Sequence, residues 1–469
     1  MSRALMPRPT LQPELRTAAL AAALALAGCA SAPDWKPAPP DQALAQAEVD
    51  ARLPVAAAAD DTPALLWSQV VTSPRLRGWV TLALAHNRDL RVAAANVRRA
   101  LAQVDSASAA RLPTVGAGLN ASRAPNSKGE QANTLTAGVQ LASWEIDLFG
   151  RLANQSEAAL AQWLSTSQAQ RATELTVVAA VLQAGLALQA DAELLALAQQ
   201  TLATREQTLK LVQLREAAGA ASQLELQAQV GLVAQARATL AQLQRQQAQD
   251  SNALALLLGS PVPADTAAGA ALADDAWLAE VPAGLSSQVL LRRPDVLQAE
   301  SALRAADANI AVARTAFLPS ITLTGQAGQV SPQLSGLFQG GNFAYTLGAN
   351  LAMTLFDGGR RQAGLDSAQA ARSAAQAQYE RAIQAAFRET ADALVGGATW
   401  RAQRQALEGQ RSAARETARL TTLRAEQGAA STLELLDAQR SLFAAEQAVL
   451  QARLGELNNR VALFKALGG

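Results

Sequence analysis

The chain has 469 residues, 50% of them hydrophobic but only 4% aromatic and 17% charged, with a net charge of +1. Its apolar content is mostly alanine and leucine, which favours helices and suffices for a large core. The near-neutral charge offers no electrostatic footprint for nucleic acid, and one histidine with one cysteine excludes multi-ligand zinc or copper centres, an intrachain disulfide and any evident cofactor site.

Arg3, Arg8 and Arg16 precede an apolar run from Ala18 to Ala27 that is too short to cross a bilayer and reads as a signal peptide over residues 1–28. The run ends Leu26-Ala27-Gly28-Cys29, which resembles a bacterial lipoprotein box, with cleavage before Cys29 and a diacylglycerol on its thiol. Ala30 follows rather than aspartate, which in lipoproteins of this kind implies sorting to the outer membrane. Two or more acyl chains anchor a protein stably where one does not. Residues 29–63 then carry Pro33, Pro37, Pro39 and Pro40, which break regular structure and give an extended strap.

A helical block is expected from Leu66-Trp67 to Leu112, where Pro113 stops it. Beyond the proline the period changes to two. Val115, Ala117, Leu119 and Ala121 alternate with small or polar residues, and Leu135, Ala137, Val139 and Leu141 do so again. Ile321, Leu323 and then Phe343, Tyr345, Leu347, Ala349, Leu351 and Met353 repeat the pattern later in the chain. This predicts two β-hairpins, at 113–148 and 319–357, turning near Asn126–Gly129 and Gly340–Asn342. The opposite faces carry Thr134, Thr136, Gly138, Gln140, Thr346, Gly348 and Asn350. One apolar and one polar face suits either a half-buried soluble sheet or a membrane barrel with a wet lumen. Four strands cannot close a barrel, and an open edge is not tolerated in lipid. Either the sheet is soluble or several copies close it together, three copies supplying twelve strands.

The longest helical stretches follow the strands, Leu152 to about Ala218 and Arg361 to about Gln427, each about 100 Å if continuous at 1.5 Å per residue. Each ends in nearly the same words: Arg215-Glu-Ala-Ala-Gly219-Ala-Ala-Ser222-Gln-Leu-Glu225, and 209 residues later Arg424-Ala-Glu-Gln-Gly428-Ala-Ala-Ser431-Thr-Leu-Glu434. Glycine ends a helix in the left-handed conformation, and serine with glutamate three residues on forms a capping box that starts the next. The chain is therefore a doubled unit with two helical hairpins: a first repeat at 64–260, a Pro/Ala linker at 261–282 and a second repeat at 283–469. Helices return through Leu226–Leu258 and Leu435–Leu467. In the last, Leu436, Phe443, Leu450, Leu457 and Phe464 recur every seventh residue, and an alanine stripe, Ala438, Ala445 and Ala452, allows close helix approach, a coiled-coil pattern.

These motifs resemble the TolC-type outer membrane factors, specifically the NodT-type lipoproteins of resistance-nodulation-division efflux pumps. The resemblance rests on Leu26-Ala-Gly-Cys29, Pro33-Asp-Trp35, Asn87-Arg-Asp-Leu-Arg91, Trp144-Glu-Ile-Asp-Leu-Phe-Gly-Arg151 and Val281-Pro-Ala-Gly-Leu285. Leu291-Arg-Arg-Pro-Asp-Val296, Phe356-Asp-Gly-Gly-Arg360, Leu435-Leu-Asp-Ala-Gln-Arg-Ser-Leu442 and Leu463-Phe-Lys-Ala-Leu-Gly-Gly469 complete it. It implies an α+β membrane protein: a homotrimer with a twelve-stranded β-barrel in the outer membrane, a long α-helical coiled-coil barrel crossing the periplasm, and an equatorial girdle. The implied partners are a periplasmic adaptor and an inner-membrane pump. The implied function is passive conduction of substrates to the exterior, with an ABC-type (type I) secretion channel as the alternative.

In that family the hairpin tips contact the adaptor, which makes Arg215, Gly219, Ala220, Ala221, Arg424, Gly428, Ala429 and Ala430 docking candidates. The arginines equally suit a last helical turn, where a cation complements the helix dipole, and the glycines serve as caps in either case. The family's pore is constricted by acidic residues near the second tip, so Glu434 and Asp437 are gate candidates. Glu434 also fits a capping box, and Asp437, whose repeat partner is Ala228, also fits an exposed helix position. Phe338, Phe343 and Tyr345 suit either an interfacial girdle or hairpin packing, and His86 reads as a solvated helix residue. A periplasmic adaptor would show one hairpin between lipoyl-like halves, and an enzyme would show a converging nucleophile, base or metal set. The sequence has neither.

Overall fold

The computed structural model describes residues 66–469 apart from Asn126, Lys128, 264–270, 273–276, 280–286 and 338–340. The expected signal peptide, Cys29, the strap, the Val281–Leu285 motif, Phe338 and Gly340 lie outside the described residues. The described residues divide into two compact units, one formed by 98–164 with 300–377 and the other by 66–97, 165–299 and 378–469.

The first helical block is three helices rather than one: α1 Trp67–Val70, α2 Pro74–His86 and α3 Arg88–Ala109. Ser73 caps α2 by accepting from the Leu76 N–H, and Pro74 sits in the first turn, where its missing donor costs nothing. Asn87 makes the unexpected break. Its Oδ1 accepts from the Asp89 and Leu90 amides at 2.8 and 3.1 Å, restarting the helix. Its Nδ2 donates to the Leu257 carbonyl at 2.8 Å.

The sheet unit holds β1 Val115–Pro125, β2 Gln131–Ile146, β3 Ser320–Ser331 and β4 Phe343–Ala352, antiparallel in the order β1-β2-β3-β4. The register sorts the side chains by polarity. Leu119 opposes Ala137, Val139 opposes Ala327, and Ala327 opposes Tyr345, so these stand on one face. Gly116, Gln140, Gln326 and Thr346 form a row on the other. One additional residue on β2 between Leu141 and Trp144 makes a bulge at the sheet's base. Trp144 Nε1 donates to the Arg111 carbonyl, and the bidentate Arg151–Glu145 pair closes the turn into the next helix.

The remaining elements are α4 Arg151–Ala217, α5 Gln223–Leu258, a 3-10 turn at Ser287–Arg292, α6 Pro294–Thr315, α7 Arg360–Glu426 and α8 Thr432–Ala466. The two 67-residue helices α4 and α7 are uninterrupted and match the expected spans to within a residue. α5 and α8 begin three residues earlier than expected, immediately after their capping serines. The α4–α5 and α7–α8 hairpins share an ion-pair position with the charges exchanged. Glu206 bonds to Arg237 at 2.7 Å, and 209 residues later Arg415 bonds to Glu446 at 3.0 Å.

Packing along α8 follows the alanine stripe more closely than the large residues of the heptad. Ala438, Ala445 and Ala452 are the buried seam, whereas Leu436, Phe443 and Leu450 are half-buried and only Leu457 and Phe464 are fully enclosed. Small residues permit close helix approach, and the larger side chains then flank the seam. The helical unit's core joins Leu76 and Trp79 of α2, Val181, Leu182 and Leu186 of α4, Leu254 and Leu258 of α5, and Leu457, Val461 and Phe464 of α8. Leu272, Trp277 and Leu278 of the mid-chain linker are buried in the same core. Leu278 bridges to Val71, and Arg453 Nε donates to the Leu272 carbonyl at 3.1 Å. Glu456, 3% exposed, accepts from Arg404, Arg453 and Arg460, so three guanidiniums surround one carboxylate beneath the linker.

Candidate functional site: the hairpin tips and the two-faced sheet

Each tip is a helix stop and start of the same geometry. Gly219 and Gly428 have φ of 71° and 72°, conformations in which a Cβ is strained. Ala220 N–H donates to the Arg215 carbonyl and Ala429 N–H to the Arg424 carbonyl, both at 2.7 Å. Gly219 and Gly428 donate to Glu216 and Ala425, completing two Schellman motifs. Ser222 and Ser431 then accept from the Glu225 and Glu434 amides at 3.2 Å each.

The side chains make the copies unequal. Glu434 returns a bond to the Ser431 N–H at 2.7 Å, which completes the capping box expected of both copies. Glu225 does not; its Oε1 accepts from the Thr432 hydroxyl at the tip of the other hairpin. The two tips are thereby tied side by side. Bonding to the Ser431 amide and hydroxyl, with help from the Arg424 charge, holds the Glu434 carboxyl below its usual range. Arg424 folds over its own tip, donating to the Ala429 carbonyl at 2.9 Å, whereas Arg215 is exposed and makes no such bond among the described residues.

Asp437 is exposed and paired with Arg440 at 2.7 Å. Their first-copy equivalents are Ala228 and Gly231, so this ion pair belongs to the second hairpin alone. Ala221 and Ala430 are half-buried; Ala220, Gly219, Ala429 and Gly428 are exposed. Sequence reasoning overlooked the apolar component of the tips. Leu211, Leu214 and Leu224 are exposed, and so are Leu420, Leu423 and Leu433 at the same repeat positions. Leu224 is 81% and Leu433 71% exposed. Superposing the two repeats by their offset would have revealed these leucines, because each lies outside its helix's buried stripe.

The sheet presents its apolar face openly: Leu119, Val139, Phe343, Tyr345, Leu347 and Leu351 are all exposed. Monomeric soluble proteins rarely expose such a contiguous patch. β1 and β4 are the two unpaired edges.

The chain matches the outer membrane efflux protein family over residues 79–260 and 285–469. It is 38% identical over 466 residues to the outer membrane protein OprJ of Pseudomonas aeruginosa, covering 98% of this chain and 96% of OprJ. It is 38% identical over 454 residues to the toluene efflux pump outer membrane protein TtgC of Pseudomonas putida, covering 95% of this chain and 94% of TtgC. A crystal structure of a membrane protein from Pseudomonas aeruginosa superposes with a TM-score of 0.84 at 37% identity, covering 94% of this chain and 98% of that one.

Proposed function

Since this chain belongs to the outer membrane efflux protein family, we infer that three copies form the outer membrane channel of a tripartite efflux pump. The observation that carries this is the two-faced sheet with open edges at β1 and β4. Lipid accepts the apolar face, but it accepts no unpaired edge. Pairing β4 of one copy with β1 of the next removes every edge, and three sheets make a twelve-stranded barrel lined by Gly116, Gln140, Gln326 and Thr346. The helical hairpins form the periplasmic part of the conduit.

The tips receive the periplasmic adaptor of an inner-membrane pump. Arg215, Gly219, Ala220, Ala221, Arg424, Gly428, Ala429 and Ala430 supply a small-residue surface with two cations, and the six exposed leucines supply apolar area. Glu434 and Asp437 narrow the closed mouth, and Arg440 partly neutralises Asp437 there. Cys29 carries the lipid anchor. The reading is of a passive conduit and not an enzyme, with the pump and adaptor selecting the cargo. Relatives are named as efflux-pump components, which favours a pump over an ABC-type exporter.

Light scattering and planar-bilayer recording of the purified full-length protein test the central claim. A trimeric mass and discrete conductance steps support it, and a monomer without conductance refutes it. Cys29→Ser should abolish palmitate incorporation. Cysteines placed at Ala220 and Ala429 should crosslink to the adaptor, and their failure to do so would remove the tips from the interface. Asp437→Ala should raise conductance of the closed channel, and unchanged conductance would remove it from the gate.

A further inference from the structure

Between α4, α7 and α8 lies a cleft of about 340 Å³. Its charged lining is Arg205, Arg415 and Glu446, and its apolar lining is Leu197, Leu442 and Phe443. Arg205 is only 7% exposed. Its one hydrogen bond runs from Nη1 to the Leu232 carbonyl at 3.0 Å, and no carboxylate among the described residues pairs with it. Burial accordingly lowers its pKa. A guanidinium has five donors, and buried charges are normally paired because desolvation is costly.

Helix pairing does not require this arginine, because the equivalent position of the other hairpin is Ala414. Arg415, in turn, stands where the first copy has Glu206, so the exchanged ion pair brings a second guanidinium to the cleft. Arg415 spends one nitrogen on Glu446 at 3.0 Å and keeps other donors free. The two copies have diverged so that two guanidiniums, one of them paired with Glu446, line a cleft with Leu442 and Phe443. A cleft of this size holds a small molecule with a few polar anchors.

We propose that this cleft binds a small aromatic carboxylate, its carboxylate held by Arg205 and Arg415 and its ring packed on Leu442 and Phe443. Isothermal titration of the full-length protein in nanodiscs provides the test. Benzoate should bind saturably and at least tenfold more tightly than benzyl alcohol, which has the ring without the charge. Arg205→Gln should weaken benzoate tenfold or more and leave benzyl alcohol unchanged. Arg415→Gln changes a largely exposed side chain and should weaken benzoate threefold or more. Equal benzoate affinity in the wild type and both variants overturns the site. So does the absence of saturable heat in the wild type, the outcome if another copy's carboxylate fills the cleft. Inorganic phosphate binding as tightly as benzoate would overturn the aromatic assignment.

Discussion

Glu225, at the start of α5, accepts a hydrogen bond from the hydroxyl of Thr432 at the start of α8, 207 residues away. Its repeat equivalent, Glu434, spends its carboxylate on its own helix cap. One position thus serves as a cap in one hairpin and as a clasp in the other. Breaking the clasp should loosen the tips without unfolding the hairpins. Thr432→Val and Glu225→Gln, combined in a double-mutant cycle read by hydrogen exchange at residues 223–226, should show a coupling of about 1 kcal/mol. Additive effects would mean that the contact carries no energy.

Acid should weaken the cap of the second tip. Glu434 has a depressed pKa, chiefly through the Ser431 amide and hydroxyl. The ionised cap therefore stabilises the helix start above the ordinary glutamate pKa of about 4.3, and the benefit is lost as pH falls through the lowered folded value. Exchange of the 431–435 amides, corrected for intrinsic rates, should accelerate below pH 4 in the wild type and be pH-independent in Glu434→Gln.

Asp191 of α4 behaves in the opposite sense. Burial, a hydrogen bond with Asp250 and that residue's charge push it up to about 7. The folded state then holds a proton the unfolded chain has released, so stability is full below about pH 4 and declines as pH rises to about 7. Asp191→Asn should stabilise the protein at pH 8 by on the order of 2 kcal/mol and do little near pH 4, as measured by thermal unfolding.

Glu456 should be among the most sensitive positions. It is buried with Arg453 and accepts from three arginines. Glu456→Ala removes the carboxylate shared by three guanidiniums, one of them the buried Arg453, and should cost about 3–5 kcal/mol, whereas a double replacement of Arg453 and Glu456 by methionine should recover much of the loss. Thermal midpoints of the two variants decide the matter.

The sheet makes a steric prediction. Gly138 faces Gly328 so closely that a Cβ on Gly138 would run into the Ala327 carbonyl oxygen and lie 2.6 Å from Gly328 Cα. At Gly118, on the neighbouring strand, the nearest atoms are the flexible end of Gln140 at 3.6 Å. Gly138→Val should cost at least about 2 kcal/mol and lower the yield of heat-modifiable trimer on gels, while Gly118→Ala should leave it intact.

The constant offset between Gly219 and Gly428 made the doubling and both tips legible in the sequence, and alternation, long in β1, β2 and β4 but confined to Ile321 and Leu323 in β3, marked all four strands. These signals are local, so side-chain period and capping chemistry sufficed. What escaped depended on distant partners. Asn87 looks helical until its bond to Leu257 is seen, and Trp277 looks like part of a linker until its burial is known. At the candidate sites, caps were readable whereas the choice of Glu225 for Thr432 over its own cap was not. Nothing in the local sequence distinguishes it from Glu434.

The exchanged ion pairs bear on how a doubled chain sorts itself during folding. Two hairpins with nearly the same words could trade arms, with α4 taking α8 and α7 taking α5. Such a swap would set Glu206 against Glu446 and Arg237 against Arg415, like facing like at the same level of each pair. Charges at helix-pair flanks select partners mainly by penalising wrong ones. A duplicated gene product that must not confuse its halves therefore carries the correction in two residues per hairpin.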